Sequence, residues 1–510
     1  MEEFVLSKLL SGGRLKSVRK DISLFTSSIK DDLVLSNAVI NINRAHVMML
    51  MEEKIIDQFS GVSLLKALTS LLETSFTPSL EENEDIHMAV EEAVLQKTDE
   101  ETGGNLHIAK SRNDQISTAI RIHLRILLLN SMNNILKLQK NLLDTAEKHL
   151  ETIILQYTHL QPAQPVTFAH YLLSFSDNLE RSFQRFIEVY KRINVCPLGA
   201  CALATTSFKI NRDMVSDLLG FDDMLENSID AVSSRDFILE TLSIFTLLSV
   251  TISRLAEDLI IFSSMDFNVI ELPDEFVSTS SIMPQKKNPE PLEIIRANAS
   301  RVLGDFVSSV STVKGLPSTY NLDFQQITPN LWNSITNVNA SLHVLSEILP
   351  KLKIASVSSD KAQNSFVAAT EIANFLTREY HIPFRTAHKI VGALARSLIA
   401  NNLTLNDLTS EMIQNISKNI TKSKIKISNK QISDITNLQK IINSYNVKGG
   451  PAPKEVKRAL IQRNKQITNN QNSLSILKQK LLTAQQKMES KISYFLSQNQ
   501  SNIKFKNSKL

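Results

Sequence analysis

The chain has 510 residues, with 56 Lys/Arg against 52 Asp/Glu for a formal net charge of +4, and only 12 Gly and 14 Pro. That length holds several cores and excludes a small binding module. Gly and Pro lie below their usual shares of about 7% and 5%, so long Leu, Ile, Ala and Ser runs go unbroken and helix should dominate.

The first residues, MEEFVLSKLL, carry acids where a secretory leader needs a basic start, and Cys196 and Cys201 cannot build a disulfide framework. The longest uncharged apolar run, Thr241 to Ser253, falls short of the roughly 20 residues that span a bilayer. A cytoplasmic protein is expected, without a membrane partner or a metal site. Gly12-Gly13 and Gly103-Gly104 punctuate the N-terminal third, and apolar residues at Ile116, Ile120, Leu124, Leu127, Ile135, Leu138 and Leu142 predict a long helix over Asn113 to His149. The Pro162 to Pro165 segment and the CPLG turn at Cys196 read as breaks. Two further long helices are predicted over Ser234 to Ser264 and Pro291 to Val313, and together the three imply an elongated bundle. Apolar residues on more than one face of the second place it inside a bundle or between subunits.

Between those two helices lies STSSIMPQKKNPE, Ser278 to Glu290. Its prolines and polar residues predict a loop entering a helix. Ser280 and Ser281 offer hydroxyls, Lys286 and Lys287 fixed positive charge, and Asn288 an amide, a set suited to binding an anion and favouring an alkoxide. Composition alone also fits an ordinary surface turn. Near the C-terminus, Leu474, Leu477, Leu481, Ala484, Met488 and Phe495 predict an amphipathic helix packed on the last domain, and disorder is expected after residue 496. From Lys454 onward the chain carries twelve Lys/Arg against two Glu, or +10, leaving −6 elsewhere. A solvated basic helix accounts for that tail better than a nucleic-acid partner, since Tyr494, Phe495 and Phe505 are its only aromatics.

SSIMPQKKNP resembles the signature of the fumarase/aspartase superfamily, in the two-lysine form of its argininosuccinate lyase branch. GGNLHIAKSRNDQ (103–115), YTHLQPAQPVTFAHYLL (157–173), NSIDAVSSRDF (227–237) and GLPSTYNLDFQ (315–325) agree in the family's order. Shorter echoes are GGR at Gly12, EDIHMAVE at Glu84, PFRTAH at Pro383 and GGPAP at Gly449. The resemblance implies a mainly α, three-domain fold with a long central helical bundle, assembling as a homotetramer with a twenty-helix core and active sites shared between subunits. It divides the chain at 1–112, 113–362, 363–496 and 497–510. The implied reaction is the reversible β-elimination of argininosuccinate to arginine and fumarate, without cofactor or metal. Ser280 is implied as base, His159 as the acid on the leaving side and Lys286 as a catalytic cation. Ser28, Arg112, Asn113, Thr158, Asn288, Tyr320 and Gln325 are implied to bind substrate. The alternatives are a catalytically silent homologue of the δ-crystallin kind, or another fumarate-releasing lyase such as adenylosuccinate lyase.

Several positions depart from the family pattern. Ile108 replaces a threonine and Lys110 an arginine, which removes some polar recognition although Lys110 retains the charge, Thr279 replaces a glycine and Ala200 a serine, while Thr328 stands where a substrate-binding lysine is common. Asp114 reads as a helix cap.

Overall fold

The computed structural model describes residues 19–507 apart from 75, 81–82 and 423–424, so the GGR echo at Gly12 lies outside the described residues. The elements that position the site are α1 (Ser36–Glu52), α2 (Arg112–Lys148), α3 (Phe168–Ile193), α4 (Asp236–Ser263), α5 (Glu290–Val313) and α6 (Thr328–Ile348). The three long helices read from periodicity agree with α2, α4 and α5 to within two residues. At 1.5 Å per residue, α2 is about 55 Å long and α4 about 42 Å.

Side-chain contacts fix the helix directions. Arg121 near the start of α2 donates to the Arg192 and Ile193 carbonyls at the end of α3 (3.0 and 3.2 Å), and its guanidinium stacks 3.9 Å from the ring of Phe237 at the start of α4. At the other end, the Tyr171 hydroxyl on α3 donates to Asp258 on α4 (3.1 Å), and Arg296 on α5 pairs with Glu257 (2.6 Å). Asn141 on α2 reaches the Ser346 carbonyl on α6 (2.7 Å). The bundle therefore has a head, where α2, α4 and α6 begin, and a tail, where they end and α3 and α5 begin.

Two short hairpins decorate the tail. Strands β1 (Ile153–Thr158) and β2 (Gln161–Thr167) pair antiparallel, with Thr158 opposite Gln161. Pro162 and Pro165, expected to break structure, lie within β2; a two-stranded ribbon is all edge, so a missing N–H is tolerated there. Before α5, β3 (Ser278–Thr279) pairs with β4 (Lys287–Asn288).

Helices α7 (Ala369–Tyr380), α8 (Phe384–Ala400), α9 (Ser410–Thr421) and α10 (Asn429–Thr436) enclose a separate core around Ile372, Leu376, Ile390, Leu394 and Ile413. The last helix, α11 (Pro453–Asn507), does not pack on this unit as its place in the sequence suggests. Val456, Leu460, Ile467, Leu474, Met488 and Ile492 join the main core instead. Ion pairs line the same seam: Arg463 holds Asp177 through two bonds (2.7 and 2.6 Å), Lys491 pairs with Glu52 (2.9 Å), Lys487 with Asp217 and Lys480 with Asp222. The positive tail thus answers the acidic excess of the body. Gly220, at φ +72°, lets Ala484 approach so closely that an added Cβ would lie 2.8 Å from it. The helix continues past residue 496, where disorder is expected, because extending an existing helix needs no new nucleus.

Candidate active site

At the head, Ser28, Arg112, Tyr320 and Gln325 line one small cavity with Asp32, Arg235, Phe324 and Thr328. Asp57 and Asp85 cap helices by accepting backbone N–H bonds, and Asp85 also holds Arg112 Nε at 2.6 Å. The turn before α1 is tied to the same segment, since the Ser28 and Ile29 N–H groups donate to the Glu84 carbonyl (2.9 and 3.1 Å). Ser28 Oγ donates to Asp32 at 2.5 Å. Burial pushes the Asp32 carboxyl up to about 7, against the pull of that bond. Arg235 stacks 4.4 Å from the Phe324 ring, and burial also raises the Tyr320 phenol. Gln325 Nε2 donates to the Thr26 carbonyl (3.0 Å), while its buried Oε1 has no hydrogen-bond partner among the described residues. A buried acceptor left this way suits a ligand that brings an N–H.

Neither Asp32 nor Arg235 stands out in the sequence, although Arg235 lies within NSIDAVSSRDF and Asp32 follows Ser28 at the helical i+4 spacing. Lys110 does not line this cavity. Its side chain is buried and turned inward onto Asn43 of α1, and desolvation lowers its ammonium to about 8. Thr328 is buried too, its hydroxyl donating to the Phe324 carbonyl (3.4 Å), so no cation stands at that position. Asn113 follows Arg112 at the start of α2 but does not line the cavity, and its amide donates to the Ala202 carbonyl (3.0 Å). Asp114 is the cap expected, completing a capping box with Ser111.

The other candidates lie at the tail. Thr158 and His159 sit on the tip of the first ribbon, where His159 (φ 55°) and Leu160 (φ 57°) both adopt left-handed backbone. Two positive φ values in a two-residue turn fit the ribbon twist but normally call for Asn-Gly. Held by a His-Leu pair, the tip is strained, as functional turns often are. In the second hairpin, the Ser280 N–H donates to the Lys286 carbonyl (3.3 Å), and the Ile282 and Met283 N–H groups donate to Ser280 Oγ (3.3 and 3.2 Å). Thr279 occupies an extended strand position, opposite Lys287. Lys287 is engaged by Asp274 (2.7 Å) and Glu271 (3.3 Å), whereas Lys286 is exposed and Asn288 half-buried.

Head and tail are separated by the length of α4, about 42 Å, so one chain brings Ser28, Arg112, Tyr320 and Gln325 together but not with His159 or Ser280. Among the described residues, no helix is long and apolar enough to cross a membrane.

Residues 67–304 match the family described as Lyase, and residues 366–443 the family described as Argininosuccinate lyase C-terminal. The chain is 41% identical to argininosuccinate lyase of Methanocaldococcus jannaschii over 89% of its length and 93% of the relative. It is 40% identical to that of Methanosarcina mazei over 93% and 96%. Among solved structures it resembles EDDS lyase in complex with formate, at 27% identity and a TM-score of 0.86 over 95% of this chain and 97% of the other. A fumarate lyase from Mesorhizobium sp. BNC1, at 18% identity and a TM-score of 0.70 over 84% and 95%, shares the fold. On sequence and architecture together, the chain belongs to the argininosuccinate lyase family.

Proposed function

We propose that the protein is an argininosuccinate lyase of arginine biosynthesis, eliminating fumarate from argininosuccinate in the cytoplasm and working as a homotetramer. The observation that carries this reading is the Ser280 hairpin, on a chain about 40% identical to argininosuccinate lyases across nine-tenths of its length. Two backbone N–H groups aimed at Ser280 Oγ favour its alkoxide over its alcohol, which a serine needs in order to act as a base.

In the reaction, Ser280 takes the proton from the carbon beside a carboxylate of the succinyl moiety. Charge then accumulates on that carboxylate, where Lys286, Asn288 and Thr158 supply a cation and hydrogen-bond donors. The C–N bond breaks, His159 protonates the departing guanidino nitrogen directly or through water, and arginine and fumarate remain. The amino-acid end of the substrate occupies the head cavity. Its ammonium faces Asp32 and the vacant acceptor of Gln325, Tyr320 and Ser28 add polar contacts, and Arg112 and Asn113 turn toward carboxylate.

Two observations support assembly. The half-sites lie a helix length apart, so a complete site needs the head of one chain beside the tail of another. Leu247 and Val250 on α4 and Ile294, Leu303 and Val307 on α5 are each about half or more exposed, an apolar face of the kind that subunits cover. The test is to supply argininosuccinate to the purified protein and follow fumarate by ultraviolet absorbance, with arginine measured as co-product. Both products in equal amounts support the reading. A folded tetramer inert toward argininosuccinate overturns it in favour of a structural homologue, or of adenylosuccinate lyase if that substrate yields fumarate.

A further inference from the structure

Asp114 does more than cap α2. Its carboxylate is fully buried, with Oδ1 accepting the Ser111 N–H (2.9 Å) and Oδ2 accepting the N–H groups of Gly199 (3.0 Å) and Cys201 (2.8 Å), more than eighty residues away. The far turn is bound back to the same segment twice more. Cys201 Sγ donates to the Ala109 carbonyl (3.2 Å), and the Ala202 carbonyl accepts the Asn113 amide (3.0 Å).

Backbone geometry shows that both sides of this contact are held rather than relaxed. Ala109 (φ 58°), Cys201 (φ 52°) and Thr205 (φ 60°) all lie in the left-handed region that non-glycine residues avoid, a β-branched threonine most of all. Such conformations persist where surrounding contacts over-determine them. Arg212 supplies the contacts on the opposite side, with Nε on the Leu198 carbonyl (3.0 Å) and Nη2 on that of Leu225 (2.8 Å). Asp114 holds Gly199 and Cys201 from within.

We infer that Asp114 is a positioning residue for substrate binding: its carboxylate clasps the 199–202 turn so that the Ala202 carbonyl fixes the orientation of the Asn113 amide. The inference rests on the proposed role of Asn113 in holding substrate. With one amide hydrogen committed to Ala202, the second hydrogen and Oδ1 are presented in a single orientation. Without the clasp the amide rotates freely and loses that preorganisation.

The experiment combines kinetics with amide exchange on the intact protein. Asp114→Asn, Asn113→Ala and the double variant are compared for kcat and KM with argininosuccinate. If Asp114 acts through Asn113, Asp114→Asn raises KM by about tenfold or more and the double variant is no worse than Asn113→Ala. Additive losses, or unchanged kinetics in Asp114→Asn, overturn the inference. Hydrogen–deuterium exchange over residues 199–206 is read in the same proteins, and it speaks even if argininosuccinate is not the substrate. Asp114→Asn should accelerate that exchange, and unaltered protection overturns the clasp whatever the substrate. Should Asp114→Asn fail to fold, Asn113→Ala removes only the bond to the Ala202 carbonyl, so the turn should keep its protection because Asp114 still holds Gly199 and Cys201. Faster exchange over residues 199–206 in that variant also overturns the inference.

Discussion

A serine hydroxyl takes a carbon-bound proton only where its alkoxide is stabilised, and the N–H groups of Ile282 and Met283 supply part of that stabilisation. Ser280→Ala and His159→Asn are each expected to lower turnover by about 10²-fold or more while circular dichroism and assembly stay unchanged. Near-normal turnover in either would reassign that role. Asp32 offers a test by pH. Its carboxyl titrates near 3.8 when free and about 7 when folded, so between those values the folded chain holds the proton more tightly. This group's contribution to stability is therefore most favourable below about pH 4 and is lost as the pH rises toward 7. Asp32→Asn should be the more stable protein at pH 7, by up to ~4 kcal/mol, and gain little near pH 4. Denaturant unfolding at both pH values checks this; a difference that does not widen with pH would refute it. Lys110 shows what local sequence conceals. Its charge is plain beside Arg112, yet only the packing of α1 reveals that the ammonium turns inward onto Asn43.

Among the elements, the long helices were legible because a 3.6-residue apolar repeat survives any tertiary arrangement. The β1–β2 ribbon was not, since Pro162 and Pro165 argue against a strand unless both of its edges are free. Nor could the partner of α11 be read from adjacency. What selects it is the main core that buries Val456, Leu460, Ile467, Leu474, Met488 and Ile492, with ion pairs to Glu52, Asp177, Asp217 and Asp222 along the seam, all scattered through earlier sequence. The site was legible as motifs, but the vacant acceptor of Gln325 and the stacked Arg235 emerge only from packing. At the ribbon tip, Leu160 is 61% exposed and left-handed, so Leu160→Gly loses little packing and relieves strain. A gain of ~1 kcal/mol in unfolding free energy is expected, with a drop in kcat if the strained tip aims His159. Equal stability in the two proteins would show that the turn is unstrained.

For the whole molecule, shared sites make a prediction that a single-chain site does not. Arg112→Ala spoils the head half of a site and Ser280→Ala the tail half. When the two inactive proteins are unfolded together and reassembled, about a quarter of the sites receive both sound halves, and activity should return to about that fraction of wild type. No recovery in verified mixed assemblies would place each site within one chain. Leu303→Glu, on the exposed face of α5, should disperse the assembly and abolish turnover with helix content retained, as sedimentation and circular dichroism would report.

The span of α4 has one more consequence, for what changes in length the chain can absorb. The helix acts as a ruler with a working mark at each end, Arg235 at one and the approach to the Ser280 hairpin at the other. Deleting a single residue from its middle would shift one end by about 1.5 Å and turn it by about 100° relative to the other. Both marks belong to different sites, so one such deletion would misalign two reaction centres at once. Length variation should be confined to the turns between rods, with the rods themselves keeping a constant count.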